Sequence, residues 1–142
     1  MHNKRPGAVY EYQFFAKAME LGLEIFIPAG DYLPQDCHVV NKKGKVFRVQ
    51  VKGTRAPVGE GVYKKNPRFR LSTGSGVRSK ESIKCENVDI LAGYVAPLDI
   101  FYIIPCDKLT GVSTWVYPND PESPDKYRFE KYRDNWDAFK AA

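Results

Sequence analysis

A chain of 142 residues with 43% hydrophobic and 27% charged side chains can bury one core and is too balanced to be disordered or fibrous; it is read as one domain over 1–142. No run approaches the roughly 20 apolar residues of a membrane-spanning helix. The start, Met1-His2-Asn3-Lys4-Arg5-Pro6, also lacks a signal peptide's apolar stretch, so no membrane association and a cytoplasmic location are expected. The net charge of +5 favours a polyanion as partner over an acidic protein.

In chain order, the apolar positions Phe14, Phe15, Ala18, Met19 and Leu21 recur at helical spacing and predict a helix from about Ala8 to Leu21, ending at Gly22. Leu23 to Pro28 alternates and stops at a proline, as a strand does. Two further strands, Asp36 to Val40 and Val46 to Lys52, flank the turn segment Asn41-Lys42-Lys43-Gly44-Lys45 and predict an antiparallel pair. A basic arm follows at about 62–80, carrying Lys64, Lys65, Arg68, Arg70, Arg78 and Lys80 among Tyr63 and Phe69. A short helix is expected from about Ser79 to Cys85, then two buried strands at Val88–Val95 and Ile100–Ile104, an edge strand at Thr114–Tyr117 and a last helix from about Lys126 to Phe139. That helix would bury Tyr127, Phe129, Tyr132, Trp136 and Phe139. Cys37, Cys85 and Cys106 are odd in number, widely spaced and without a Cys-x-x-Cys pair, so they are read as reduced, with neither a disulfide framework nor a zinc site.

The hairpin carries a geometric expectation. A five-residue turn at 41–45 pairs Val40 with Val46, His38 with Arg48 and Asp36 with Gln50, and directly opposed residues share a face. Period-two alternation then sends Phe47, Val49 and Val51 to the core and Arg48, Gln50 and Lys52 to the other face, beside Asp36. A turn one residue shorter would turn Asp36 away. Glu11 lies three and four residues before Phe14 and Phe15, on the edge of the apolar stripe; taken alone, it is better read as an acidic residue complementing a helix N-terminus.

These positions, Glu11, Asp36 and Gln50-Val51-Lys52, resemble the pattern of the PD-(D/E)XK nucleases: a helix glutamate, an aspartate at a strand start, and (D/E)-x-Lys on the next strand. Within that class the chain looks most similar to small intron-associated (homing) and Holliday-junction-resolving endonucleases. The likeness is carried by Gly7-x-x-x-Glu11, Arg48-Val49-Gln50-Val51-Lys52-Gly53-Thr54, Tyr102-Ile103-Ile104-Pro105 and Tyr132-Arg133-Asp134-Asn135-Trp136. Two positions depart from the pattern. Gln35 separates Pro34 from Asp36, and Gln50 replaces the usual acid, removing one negative charge.

The resemblance implies an α/β, restriction-endonuclease-like fold, a central mixed β-sheet flanked by helices, and metal-dependent hydrolysis of DNA, site-specific or junction-resolving. It implies Asp36, Gln50, the Val51 carbonyl and Glu11 as ligands of Mg2+ (or Mn2+), with Lys52 orienting or deprotonating the attacking water. Duplex cleavage needs two sites, so a homodimer or homotetramer is expected. The DNA-binding set would be Arg48, Lys64, Lys65, Arg68, Arg70, Arg78 and Lys80. The alternative is a DNA-binding or assembly module that keeps the nuclease fold without catalysis, as the loss of an acid at Gln50 suggests. His38 is read as a hydrogen-bonded strand residue, not a catalytic base.

Overall fold

The computed structural model describes residues 4–30, 32–59, 67–72, 74–75, 81–118 and 128–141. Helix α1 (Lys4–Glu20) begins a turn earlier than its apolar stripe suggests, with Pro6 in the first turn, where its missing N–H costs no helical hydrogen bond. It ends as expected at Gly22, whose φ of +83° lets Leu23 N–H reach the Ala18 carbonyl and Gly22 N–H the Met19 carbonyl, at 3.0 Å each. Phe14, Phe15 and Ala18 are buried together with Tyr10, while Met19 and Leu21 are exposed.

Five strands form one mixed sheet in the order β1 (Glu24–Phe26), β2 (Cys37–Val40), β3 (Val46–Thr54), β7 (Ile90–Val95) and β8 (Ile100–Pro105). Between β3 and β7 in sequence come β4 (Phe69–Ser72), β5 (Gly74–Ser75) and β6 (Glu81–Ser82); β9 (Ser113–Val116) follows β8. Neighbours in the sheet run antiparallel except β3 and β7, which are parallel. β7 is buried along its whole length, as its unbroken apolar run requires.

The two faces of the sheet are covered differently. On one, Tyr10, Phe14, Phe15 and Ala18 of α1 meet Val39, Phe47, Val49, Val51, Ile90, Ala92 and Ile103. On the other, Leu91, Val95, Tyr102 and Ile104 are covered by Phe69 and Leu71 of β4 and Val116 of β9. So α1 is the one α-helix among the described residues, and a two-stranded β4–β9 ribbon does the work expected of a second helix. The alternation of Phe69 and Leu71 with Arg70 suits that ribbon. β9 therefore does not extend the main sheet.

Three further expectations are corrected. Residues 128–141 form no α-helix but two 3-10 turns, Glu130–Tyr132 and Asp137–Lys140. Between them Asp134, at φ +48°, gives its N–H to the Phe101 carbonyl and accepts the Phe101 N–H on Oδ1, closing the free edge of β8. Within the expected helix Ser79–Cys85, Glu81 and Ser82 instead pair with Gly74 and Ser75; a helix of about seven residues has little stability of its own. Finally, Cys85 and Cys106 form a disulfide, their Cα atoms 5.5 Å apart, leaving Cys37 as the free, buried thiol. The antiparallel β7–β8 register, with Ile90 opposite Pro105, returns the chain to Cys85 across 21 residues of separation, which spacing alone does not reveal. No helix among the described residues is long and apolar enough to cross a membrane.

Candidate active site

The site starts from the turn between β2 and β3. The side-chain oxygen of Asn41 accepts the N–H groups of Lys43 (2.9 Å) and Lys45 (3.0 Å), and its backbone N–H donates to the Lys45 carbonyl. Gly44 takes φ +84°, closing the five-residue turn. The register is then the expected one, Val40 opposite Val46 and His38 opposite Arg48. Phe47, Val49 and Val51 are buried under α1, and Arg48, Gln50 and Lys52 are half-buried on the opposite side.

Asp36 continues this ladder beyond the end of β2. Its N–H donates to the Val49 carbonyl at 2.9 Å, and its Oδ2 accepts the Val51 N–H at 2.7 Å, so its main chain and its carboxylate are both tied to β3, on either side of Gln50. The chain just before it is tied as well: Gln35 Nε2 donates to the Asn87 carbonyl at 2.9 Å. Glu11 stands well inside α1, whose first turn holds no acidic residue, so complementing the helix N-terminus is not its role. It is half-buried and near enough to Asp36 and Lys52 to feel both charges. Burial, then the neighbouring Asp36, raise the Glu11 pKa, with Lys52 opposing. Burial likewise raises that of Asp36, against the Val51 N–H and Lys52.

Two carboxylates held together against burial are poised to accept a cation. Among the described residues no three His, Cys, Asp or Glu side chains form a metal cluster. A cation here would therefore draw on Glu11, on Asp36 through the oxygen not engaged by Val51, and on the neutral oxygens of Gln50 and the Val51 main chain. That donor set is all oxygen, which suits a hard divalent ion.

A family model described as PD-(D/E)XK endonuclease matches residues 1–139. The chain belongs to the PD-(D/E)XK endonuclease family. A solved bacterial homing endonuclease shares its fold, with a TM-score of 0.77 and 20% identity over 99% of this chain and 95% of that one. No curated protein matches by sequence. PD-(D/E)XK enzymes are nucleases that use divalent metal ions, so the family's activity and the oxygen-rich donor set agree.

The remaining expected residues divide. Arg48 is committed within the chain: Nη2 and Nε bind the two carboxylate oxygens of Asp89 at 2.9 and 3.0 Å, and Nη1 donates to the Glu86 carbonyl at 2.6 Å. Arg68 stacks on the Trp115 ring at 3.7 Å, and Arg70 Nε donates to Ser113 Oγ at 2.7 Å, so the described part of the arm is anchored to β9. Lys64, Lys65, Arg78 and Lys80 lie outside the described residues. His38 is a half-buried residue of β2, with its Nε2 buried and without a hydrogen-bond partner among the described residues. The reading from sequence placed Asn41 in the turn, Gln35 before Asp36 and Gly53 after Lys52, but gave none of them, nor Asp89, a part in building the site. Asn41, at the first position of a turn, carried a signal of its own; the others depend on contacts across the fold.

Proposed function

We propose that the protein is a DNA endonuclease of one domain, with Glu11, Asp36, Gln50 and Lys52 as its catalytic residues and Mg2+ or Mn2+ as its cofactor. The observation that carries this reading is the clamping of Asp36 to the backbone of β3 at Val49 and Val51, which sets its carboxylate beside Gln50-Val51-Lys52. When bound, the cation polarises the scissile phosphate and offsets the charge that builds up on it. Asp36 and Glu11 supply the negative charge that attracts it. Gln50 adds a neutral oxygen, a weaker donor than the usual acid. Lys52 offers its ammonium to the scissile phosphate and orients the attacking water.

DNA reaches the site at the C-terminal end of β3, where Glu11 of α1 and Gln50 and Lys52 of β3 are half-buried and Arg55 just beyond them is exposed. The substrate is a duplex site of the intron-associated kind or a branched junction. A homo-oligomer supplies the second site for a double-strand cut, supported by apolar side chains exposed at the sheet edge: Phe26 is 60% and Ile27 62% exposed, with Tyr12 and Met19 on the adjoining helix.

Gln50 favours a second reading, a DNA-binding module without catalysis. One assay separates the two: incubation with Mg2+ or Mn2+ of supercoiled plasmid, a four-way junction and a library of duplex sites. Wild type is expected to cut at least one, and Asp36→Ala, Gln50→Ala and Lys52→Ala to lose about 100-fold or more. Salt-sensitive binding with every substrate intact would select the binding module. Full activity in Gln50→Ala would remove Gln50 from the site.

A further inference from the structure

Arg55 stands three residues beyond Lys52, just past the end of β3, and is exposed. Its Nε donates to the Tyr10 hydroxyl at 3.1 Å, and its guanidinium carbon lies 6.0 Å from the centre of the Tyr10 ring. Tyr10 is itself buried. Its ring rests against Gly53, at a place where any Cβ would overlap it. The two residues that fix Arg55 are therefore immediate chain neighbours of Glu11 and Lys52.

Two arginines elsewhere in the chain are paired with carboxylates. Arg48 is neutralised by Asp89 and Arg133 by Glu130, the latter at 3.1 Å. Arg55 pairs with no carboxylate among the described residues; its partner is a neutral hydroxyl and the face of a ring. The contact occupies Nε and leaves the two terminal nitrogens, a planar fork that matches a phosphate in bidentate fashion. A long side chain loses freedom on binding, and a guanidinium already held by Tyr10 loses less. Three residues of extended chain separate it from Lys52 by about 10 Å. That distance corresponds to roughly three base pairs along the duplex axis at about 3.4 Å of rise each.

We propose that Arg55 is a phosphate-binding residue of the nucleic-acid interface, engaging the backbone a few nucleotides from the scissile position, with Tyr10 as its positioning residue. This rests on the nuclease reading. Gly53 then has two consequences: it leaves room for the Tyr10 ring against β3, and through that ring it sets the direction of Arg55. Tyr10 and Arg55 make no contact with the scissile phosphate, so their effect falls on substrate affinity and not on the chemical step.

The test measures binding of a fluorescent duplex of about 30 base pairs by anisotropy, without divalent metal, across a salt series. Arg55→Ala and Arg55→Gln are each expected to weaken binding about five- to tenfold and to flatten the plot of log affinity against log salt by about one. Arg55→Lys should keep the wild-type slope with part of the affinity lost. Tyr10→Phe, which keeps the ring and removes the hydroxyl, should also keep the slope while weakening binding by about two- to fivefold. Arg55→Gln retains a side-chain donor for the hydroxyl, so a loss shared by Arg55→Ala and Arg55→Gln at unchanged Tm reports charge and not folding. Wild-type affinity and slope in Arg55→Gln would overturn the proposal. In that case wild-type cleavage persists, whereas failure of the nuclease reading abolishes cleavage in wild type itself. A wild type with no salt-dependent affinity for DNA would overturn both.

Discussion

Asp36 is held by two main-chain groups of β3: its N–H donates to the Val49 carbonyl, and its carboxylate accepts the Val51 N–H. Its pKa is nevertheless raised by burial, and that of Glu11 is raised by burial and by Asp36. The fold therefore favours the protonated forms relative to the unfolded chain. Such a carboxylate adds no strain at low pH, and it destabilises the metal-free protein progressively as pH rises through its unfolded value, near 4, to its folded one. Asp36→Asn removes the charge while its amide oxygen can still accept the Val51 N–H. We predict that this variant, in chelator at pH 7, melts a few degrees above wild type, and that the difference closes as pH falls below about 4. Added Mg2+ should raise the Tm of wild type and leave the variant unmoved. A lower Tm for Asp36→Asn at pH 7, measured by calorimetry, would show that the carboxylate stabilises the fold and is not strained within it. The proposed functional residues could be named from sequence because each belongs to a short local pattern. The clamp on Asp36 could not, since it uses the backbone of another strand.

Between elements, the hairpin of β2 and β3 was readable because a five-residue turn between two alternating segments admits one register that buries Val39, Phe47 and Val49. The C-terminal segment misled for the opposite reason. Phe129, Tyr132, Trp136 and Phe139 have helical spacing, which would put them on one side of one helix. In the fold the chain wraps the edge of β8, placing Phe129 in the core under β4 and β9 and Trp136 and Phe139 in the core under α1. What decides is the unpaired backbone of Phe101, satisfied by Asp134, and local spacing carries no trace of it. Asn41 joins this segment to the hairpin: its Nδ2 donates to the carbonyls of Phe139 (2.9 Å) and Ala141 (2.7 Å) while its oxygen holds the turn. It is one of the two polar residues buried among those described. Asn41→Ala abandons both functions together. It is expected to destabilise the protein by about 2–4 kcal/mol, from several hydrogen bonds at about 0.5–1.5 kcal/mol each. Denaturant unfolding reads the change, and a loss under about 0.5 kcal/mol would show that water replaces the side chain at both places.

At the scale of the molecule, the sheet is thick where β7 and β8 lie, covered by α1 on one side and by β4 and β9 on the other, and thinner at β1 and β2, whose buried side chains join only the core on the α1 side among the described residues. The thin end carries the site and also an uncovered edge: among the described residues β1 pairs only with β2. Phe26 and Ile27 are more than half exposed there, and Tyr12 and Met19, seven residues apart, mark the same side of α1. An uncovered edge strand with apolar side chains is a template for another chain. On the proposed reading one copy has one site and cuts one strand at a time, so a second copy seated on this edge would set two sites at a fixed separation. We predict that wild type sediments as a dimer or larger at micromolar concentration and converts its target duplex to double-strand breaks with little nicked intermediate. Ile27→Lys, placing a charge on that surface without touching Glu11, Asp36, Gln50 or Lys52, should yield a monomer that nicks. Since the substitution is at an exposed position, stability should change by no more than about 0.5 kcal/mol, so the oligomer is tested apart from the fold. A wild type that sediments as a monomer and still makes double-strand breaks would mean that this edge serves no second copy and that one site cuts the two strands in turn.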